Sequence, residues 1–348
     1  MLSGLSEPML IALIGCAGGV LLGLAARLGR FCTLGSIEDV LYQSSDVRLR
    51  MWGLAIGIAG LASFGLAGLG ALDLSQTLYY RVPWSPLASV LGGLMFGYGM
   101  SMAGNCGFGA LARFGGGDLR SFVIVTVMGL SAFVMLSGPL AGLRVSFEAA
   151  TAISSQMRGY PDLLQGLTGL PVVIGGLLIS LAITLASLGA RHFLADRRAV
   201  LWGTVVGLAV ASGWAGTQWV ADTGFSGQTV VSHTFSAPLG ETMLYLMTSS
   251  GGGLSFGVGS VFGVLAGAFC GSLIKGHFRW EACEDPRELK RQILGAVLMG
   301  FGAVLAVGCT IGQGISAFSV LSFSAPITFA AIFAGAAIGL RQLITGFA

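Results

Sequence analysis

The chain has 348 residues, 54% of them hydrophobic and only 9% charged, with a formal net charge of +3. Soluble domains carry roughly 25% charged residues, so this composition excludes a soluble globular protein, and so small a net charge gives no reason to expect nucleic acid as a partner. Fifty-seven glycines suit a bilayer, where close helix packing and interrupted helices use them readily. The first ten residues include Glu7 and Pro8 but no basic residue, unlike the start of a secretory signal.

A membrane span needs about 18–25 apolar residues, and the sequence predicts nine. They fall at 9–29, 50–72, 87–105, 120–142, 168–189, 199–219, 251–274, 291–308 and 325–346. The fold class expected is therefore an all-α polytopic membrane protein of about nine transmembrane helices, with re-entrant half-helices at the breaks described below. Of the 18 Lys and Arg, all but Arg81, Arg144 and Arg158 fall on one side, fifteen against three. Under the positive-inside rule this sets the N-terminus outside and the C-terminus in the cytoplasm.

Three breaks interrupt these spans. GRFCTLG (29–35) closes the first, GNCGFG (104–109) ends the third, and GCTIG (308–312) ends the eighth. Shifted by 203 residues, the stretches 91–109 and 294–312 match at Gly97/Gly300, Gly99/Gly302, Ala103/Ala306, Cys106/Cys309 and Gly109/Gly312, among others. The first and sixth spans share a weaker glycine pattern. The pattern predicts an inverted-topology repeat, 1–143 against 199–348, with 144–198 supplying a linker and the odd fifth span that reverses the second copy. The counterpart of the Cys32 break is expected near Gly216, in the turn at 222–227.

Backbone that leaves a helix at membrane depth must be satisfied by protein or by a wet cavity. Short half-helices are expected at 110–114 and 315–320, and their N-termini offer free N–H groups and positive dipole to an anion. The candidate pathway residues are Cys32, Cys106, Cys309, Gly104, Asn105, Gly107, Gly308, Thr310 and Gln313, the last through its side-chain amide. Thiols are a poor choice for sulfate or phosphate, which Arg holds better. They suit a soft sulfur atom, and the expectation is of neutral thiols that donate without forming a covalent intermediate. No CxxC pair occurs, so neither a zinc site nor a redox motif is expected, and no cofactor. Cys16 and Cys270 are expected in the core, Arg113 with Asp118 as a structural pair, and His233 and Glu241 as solvated loop residues.

At AGNCGFGALARFGGGDLRSF (103–122), VGCTIGQGISAFS (307–319) and GRFCTLG, the chain resembles the YeeE/YedE family of sulfur-compound transporters. The resemblance implies an inner-membrane importer of thiosulfate or a similar sulfur-containing anion. It implies an hourglass-shaped route with three cysteines, here Cys32, Cys106 and Cys309. It also implies a cytoplasmic TusA-like sulfur-carrier protein as a partner. The alternative is an intramembrane enzyme, through cysteine sulfur transfer or through Gly224-Phe225-Ser226-Gly227, a GxSG-like stretch with His233 as base.

Overall fold

The computed structural model describes residues 6–153, 158–225, 227–249, 253–282 and 285–346. It is an all-α polytopic membrane protein. The helices, in order, are α1 (Glu7–Leu28), α2 (Thr33–Tyr42), α3 (Val47–Gly68), α4 (Leu78–Arg81), α5 (Pro86–Ala103), α6 (Gly107–Gly115), α7 (Leu119–Leu136) and α8 (Ala141–Thr151). They continue with α9 (Tyr160–Thr168), α10 (Val172–Leu188), α11 (Arg191–Ala195), α12 (Arg197–Thr223), α13 (Ala237–Thr248), α14 (Phe256–Ile274), α15 (Pro286–Leu305) and α16 (Ser324–Thr345). Between the last two lies a further half-helix at 310–319, whose middle, Gly312–Ala317, is wound as a π-helix.

Each of the nine expected spans is a helix: α1, α3, α5, α7, α10, α12, α14, α15 and α16. Seven are long and apolar enough to cross a membrane on their own, and α9 with α10, bent by 115°, makes an eighth. The remaining one, α15, begins Pro-Arg-Glu-Leu-Lys-Arg, and these charges place its first turns at the membrane surface rather than in the hydrocarbon. The stretch after α7 is the short helices α8 and α9 rather than a plain loop.

Glycine sets the spacing of the bundle. A Cβ on Gly15, Gly19 or Gly23 of α1 would come within 2.3, 2.4 and 2.4 Å of carbonyl oxygens of α14. These two helices run parallel at near backbone contact, the small-residue packing that membranes favour where no hydrophobic force separates helix from lipid. In the same way α12 packs parallel to α3 through Gly203 and Gly207, and α5 packs parallel to α16 through Gly93 and Gly97. Other pairs run antiparallel, among them α1 with α12, through Gly29 on Trp202 and Gly216 on Ile14, α5 with α15, through Gly92 and Gly99 against Gly302 and Gly295, and α3 with α10, through Gly53 on Ser187 and Gly60 on Ser180.

A side chain at Gly97 would stand 2.0 Å from the carbonyl of Ile332, whereas one at Gly65 would meet nothing within 4 Å. Gly97→Val should cost about 1–3 kcal/mol through overpacking, while Gly65→Ala should be neutral or stabilising. Thermal unfolding of the two variants in detergent checks this contrast.

Candidate functional site

Every one of the three breaks places its cysteine at the N-cap of the half-helix that follows. Cys32 caps α2 and its sulfur accepts from the amide of Gly35 at 3.5 Å; Cys106 caps α6 and accepts from the amide of Gly109 at 3.3 Å. Cys309 directly precedes the half-helix at 310–319, and its sulfur accepts from the amide of Phe235 at 3.2 Å, with Thr234 Oγ1 at 3.7 Å. The half-helices therefore begin at the cysteines, several residues before the expected 110 and 315. An N-cap acceptor satisfies one of the orphan amides of the first turn. In that bond the sulfur accepts, so it does not use the S–H.

The chain reaches these caps through backbone that only glycine takes easily: Gly104 lies at φ 75° and Gly308 at φ 152°. Cys106 and Cys309 are fully buried and Cys32 half-buried. The three caps converge: Phe235 joins the Cys106 and Cys309 breaks, its carbonyl facing Gly107 and its amide on the Cys309 sulfur, and Cys32 is near enough to Cys106 for a charge on one to be felt by the other. Thr310 Oγ1 is buried and makes no well-formed hydrogen bond, yet lies against the Cys106 sulfur, within reach of a weak O–H···S contact. Gly107, the first residue of α6, packs on Met128 and faces the carbonyl of Phe235, whose ring lies 5.2 Å from that of Phe108. Asn105 is buried beside the break.

The fourth corner is formed by a stretch outside the expected set. A further helix start inside the bundle lies at Phe235–Ser236, with Ser236 as the N-cap of α13, whereas at Gly224 α12 is only ending. The signal is present in the sequence: Phe31-Cys32 precedes Leu34-Gly35 as Phe235-Ser236 precedes Leu239-Gly240, with one residue inserted. This segment is tied down on all sides. Ser316 Oγ donates to the carbonyl of His233 at 2.6 Å, Ser232 Oγ to that of Val210 at 2.7 Å, and Leu78 N to that of Val230 at 3.2 Å. From α4, Tyr79 donates to the carbonyl of Gly312 at 2.8 Å and Tyr80 to that of Val320 at 3.1 Å.

Several expected roles are corrected. His233 is wholly buried, with a ring nitrogen 2.7 Å from Ser260 Oγ, because the glycine at 18 leaves room for the imidazole. Glu241 is largely enclosed and accepts from Ser255 Oγ at 3.0 Å. Asp118 pairs with Arg120 at 3.3 Å and accepts from Ser121 rather than holding Arg113. Cys270 faces outward from the bundle. Ser226 of the GxSG-like stretch lies outside the described residues, and His233 turns to Ser260 instead. Gln313 spends its amide on the end of α15, donating to Ala306 O at 2.7 Å and Val307 O at 3.1 Å.

Two cavities flank the thiol cluster. The wider, of about 570 Å³, opens between α4, the start of α5, Arg158 and the start of α16, with Tyr79, Val307 and Gln313 at its floor. The narrower, of about 90 Å³, lies at the opposite end between Gly104–Asn105, Arg113, the start of α7 and the first turns of α15. Neither is lined by a cysteine: the fully buried Cys106 follows Asn105 of the narrower lining and the fully buried Cys309 lies two residues from Val307 of the wider, so protein partitions the two at these sulfurs.

A family model described as Sulphur transport matches residues 28–338. The chain belongs to that family. The sulphur-transport family makes it a multi-pass transport protein, not an enzyme. Among similar proteins, the thiosulfate transporter TsuA of Escherichia coli (strain K12) is 28% identical over 321 residues, covering 87% of this chain and 86% of that protein. The thiosulfate transporter TsuA of Spirochaeta thermophila is 22% identical over 326 residues, covering 90% and 94%. Among the described residues no group of His, Cys, Asp and Glu is placed to hold a metal ion.

Gln313→Leu leaves the carbonyls of Ala306 and Val307 without a donor, which should cost about 1–3 kcal/mol. A lowered unfolding temperature in detergent is the expected result, with Ser324→Ala less affected because its two bonds, to Ser322 Oγ at 3.1 Å and Gln313 Oε1 at 3.2 Å, are longer and strand no backbone carbonyl.

Proposed function

We propose that this protein carries thiosulfate across the bacterial inner membrane into the cytoplasm, passing it through the partition on neutral thiols. The observation that carries this reading is the convergence of Cys32, Cys106 and Cys309, each at the start of a half-helix, between two cavities at opposite ends. Thiosulfate has a soft terminal sulfur and a hard, oxygen-bearing end. The S–H groups donate weakly to the first, while Thr310 and the amide of Gly107, which opens α6, favour the second; the amides of Gly104 and Gly308 are spent on the carbonyls of Ser101 and Ala303. Weak donors in series bind enough to admit the ion and release it, which conduction requires. Both similar proteins are named for thiosulfate transport.

The helix pairing supports an inverted repeat of 1–143 and 199–348 about the span-5 linker, 144–198. If α1, α3, α5 and α7 correspond to α12, α14, α15 and α16, then α1 on α14 corresponds to α3 on α12, and α5 on α16 to α7 on α15. The antiparallel pairs α1/α12 and α5/α15 are then each their own counterpart, as an axis in the membrane plane requires. With the N-terminus outside, the wide cavity faces outward and the narrow one the cytoplasm, where a TusA-like carrier protein receives the product of transport. Positive charge on the loops after α1, α5 and α10 favours that orientation.

Thiosulfate uptake into proteoliposomes tests the thiol role. Cys106→Ala and Cys309→Ala should each lower the initial rate by about tenfold or more, about 1.4 kcal/mol in the barrier. Cys106→Ser separates capping from sulfur chemistry, because serine is itself a good N-cap. Folding should be retained in that variant while uptake stays low; full uptake by Cys106→Ser and both alanine variants would refute the thiol route.

A further inference from the structure

The lining of the narrow cavity holds three arginines against two carboxylates, and two of those arginines make no ion pair among the described residues. Asp118 accepts from the amide and guanidinium of Arg120 and from Ser121 Oγ, and Glu288 accepts from Gln292 Nε2 at 2.8 Å. Arg120 is further engaged by Glu281 at 3.9 Å. Arg113 and Arg291 line the same space and make no ion pair among the described residues. The field is reinforced by Arg27, whose guanidinium lies on Gly116 and acts on Arg113, and partly offset by Glu38. The opposite cavity is built differently. There Arg158 donates to the carbonyl of Tyr80, and Glu148, on its lining, is paired with Arg144 at 2.7 Å.

We propose that the narrow cavity is a second anion station, in which Arg113 and Arg291 hold one small divalent oxyanion of the thiosulfate and sulfate class. The inference rests on the transport reading above and adds to it a site away from the cysteines. At about 90 Å³ it has the room of about three waters, at about 30 Å³ each. That accommodates one tetrahedral anion and excludes a nucleotide or peptide. Its wall includes Gly104 and Asn105, which immediately precede Cys106, so an ion leaving the thiols on that side enters it next. Both guanidiniums are exposed, and salt and water screen exposed charges; the station therefore holds the ion loosely and lets it go. A fixed charge of this kind cannot drive accumulation. It lowers the energy of the ion just beyond the partition and so speeds passage.

Arginine modification tests the station on the intact purified protein. Phenylglyoxal labelling, read residue by residue by mass spectrometry, should slow several-fold at Arg113 and Arg291 when sodium thiosulfate replaces sodium chloride at equal ionic strength. Labelling at Arg81 and Arg341 should not change. In proteoliposomes the double variant Arg113→Gln with Arg291→Gln should take up thiosulfate about tenfold more slowly, and the corresponding double lysine variant should keep most of the rate. Wild-type protein that transports thiosulfate but shows no selective protection, with normal uptake by the glutamine variant, overturns the station and leaves the thiol route standing. Wild-type protein that takes up no thiosulfate overturns the transport reading itself, and with it the station, whatever the labelling shows.

Discussion

Peptide groups that leave a helix within the hydrocarbon have no water to bind, and the centre of this protein is organised around that lack. Four times among the described residues the chain breaks inside the bundle and starts a new helix, and each time the first-turn amides need partners. At Cys32 and Cys106 the sulfur supplies one within its own turn. At Cys309 the sulfur is turned across to Phe235, so that one half of the chain satisfies the other. The carbonyls of the half-helix at 310–319 find donors in Tyr79 and Tyr80. The π-wound turn there exposes the Gly312 carbonyl to Tyr79, a type of distortion that recurs at functional sites.

The same requirement explains the fate of residues that looked available. Gln313 has an amide suited to an anion, but the end of α15 leaves carbonyls that need it more. Burying an unsatisfied carbonyl costs more than a weakly held ligand returns. His233 reads as a loop residue because the sequence around it is polar and follows an exposed turn. The structure draws it inward, since the segment 230–236 is threaded between α12, α14 and the 310–319 half-helix.

Much of this was legible in the sequence. Hydropathy and glycine content located nine helices, of which seven, or eight with the bent α9–α10 pair, are long and apolar enough to span, since the bilayer imposes a length and an apolar composition. The Cys106 and Cys309 breaks were legible because the same glycine–cysteine pattern recurs in the sequence 203 residues apart. The fourth break was missed for two physical reasons. Serine replaces cysteine at its cap, and the connection from α12 to Ser236 is longer than that from α1 to Cys32, so a constant shift looks in the wrong place. The partners of Asp118 and Gln313 were out of reach for another reason: side-chain direction at a turn depends on packing that spacing does not encode.

Burial of the capping sulfurs also makes this protein its own reporter. Cys270 sits on the outer surface of the bundle, while Cys106 and Cys309 have no exposed area at all. A small alkylating agent meets the first at any moment and the other two only in the interval when the middle of the molecule parts. The rate at which those two are alkylated therefore counts how often the packing around them opens, without any ion having to cross.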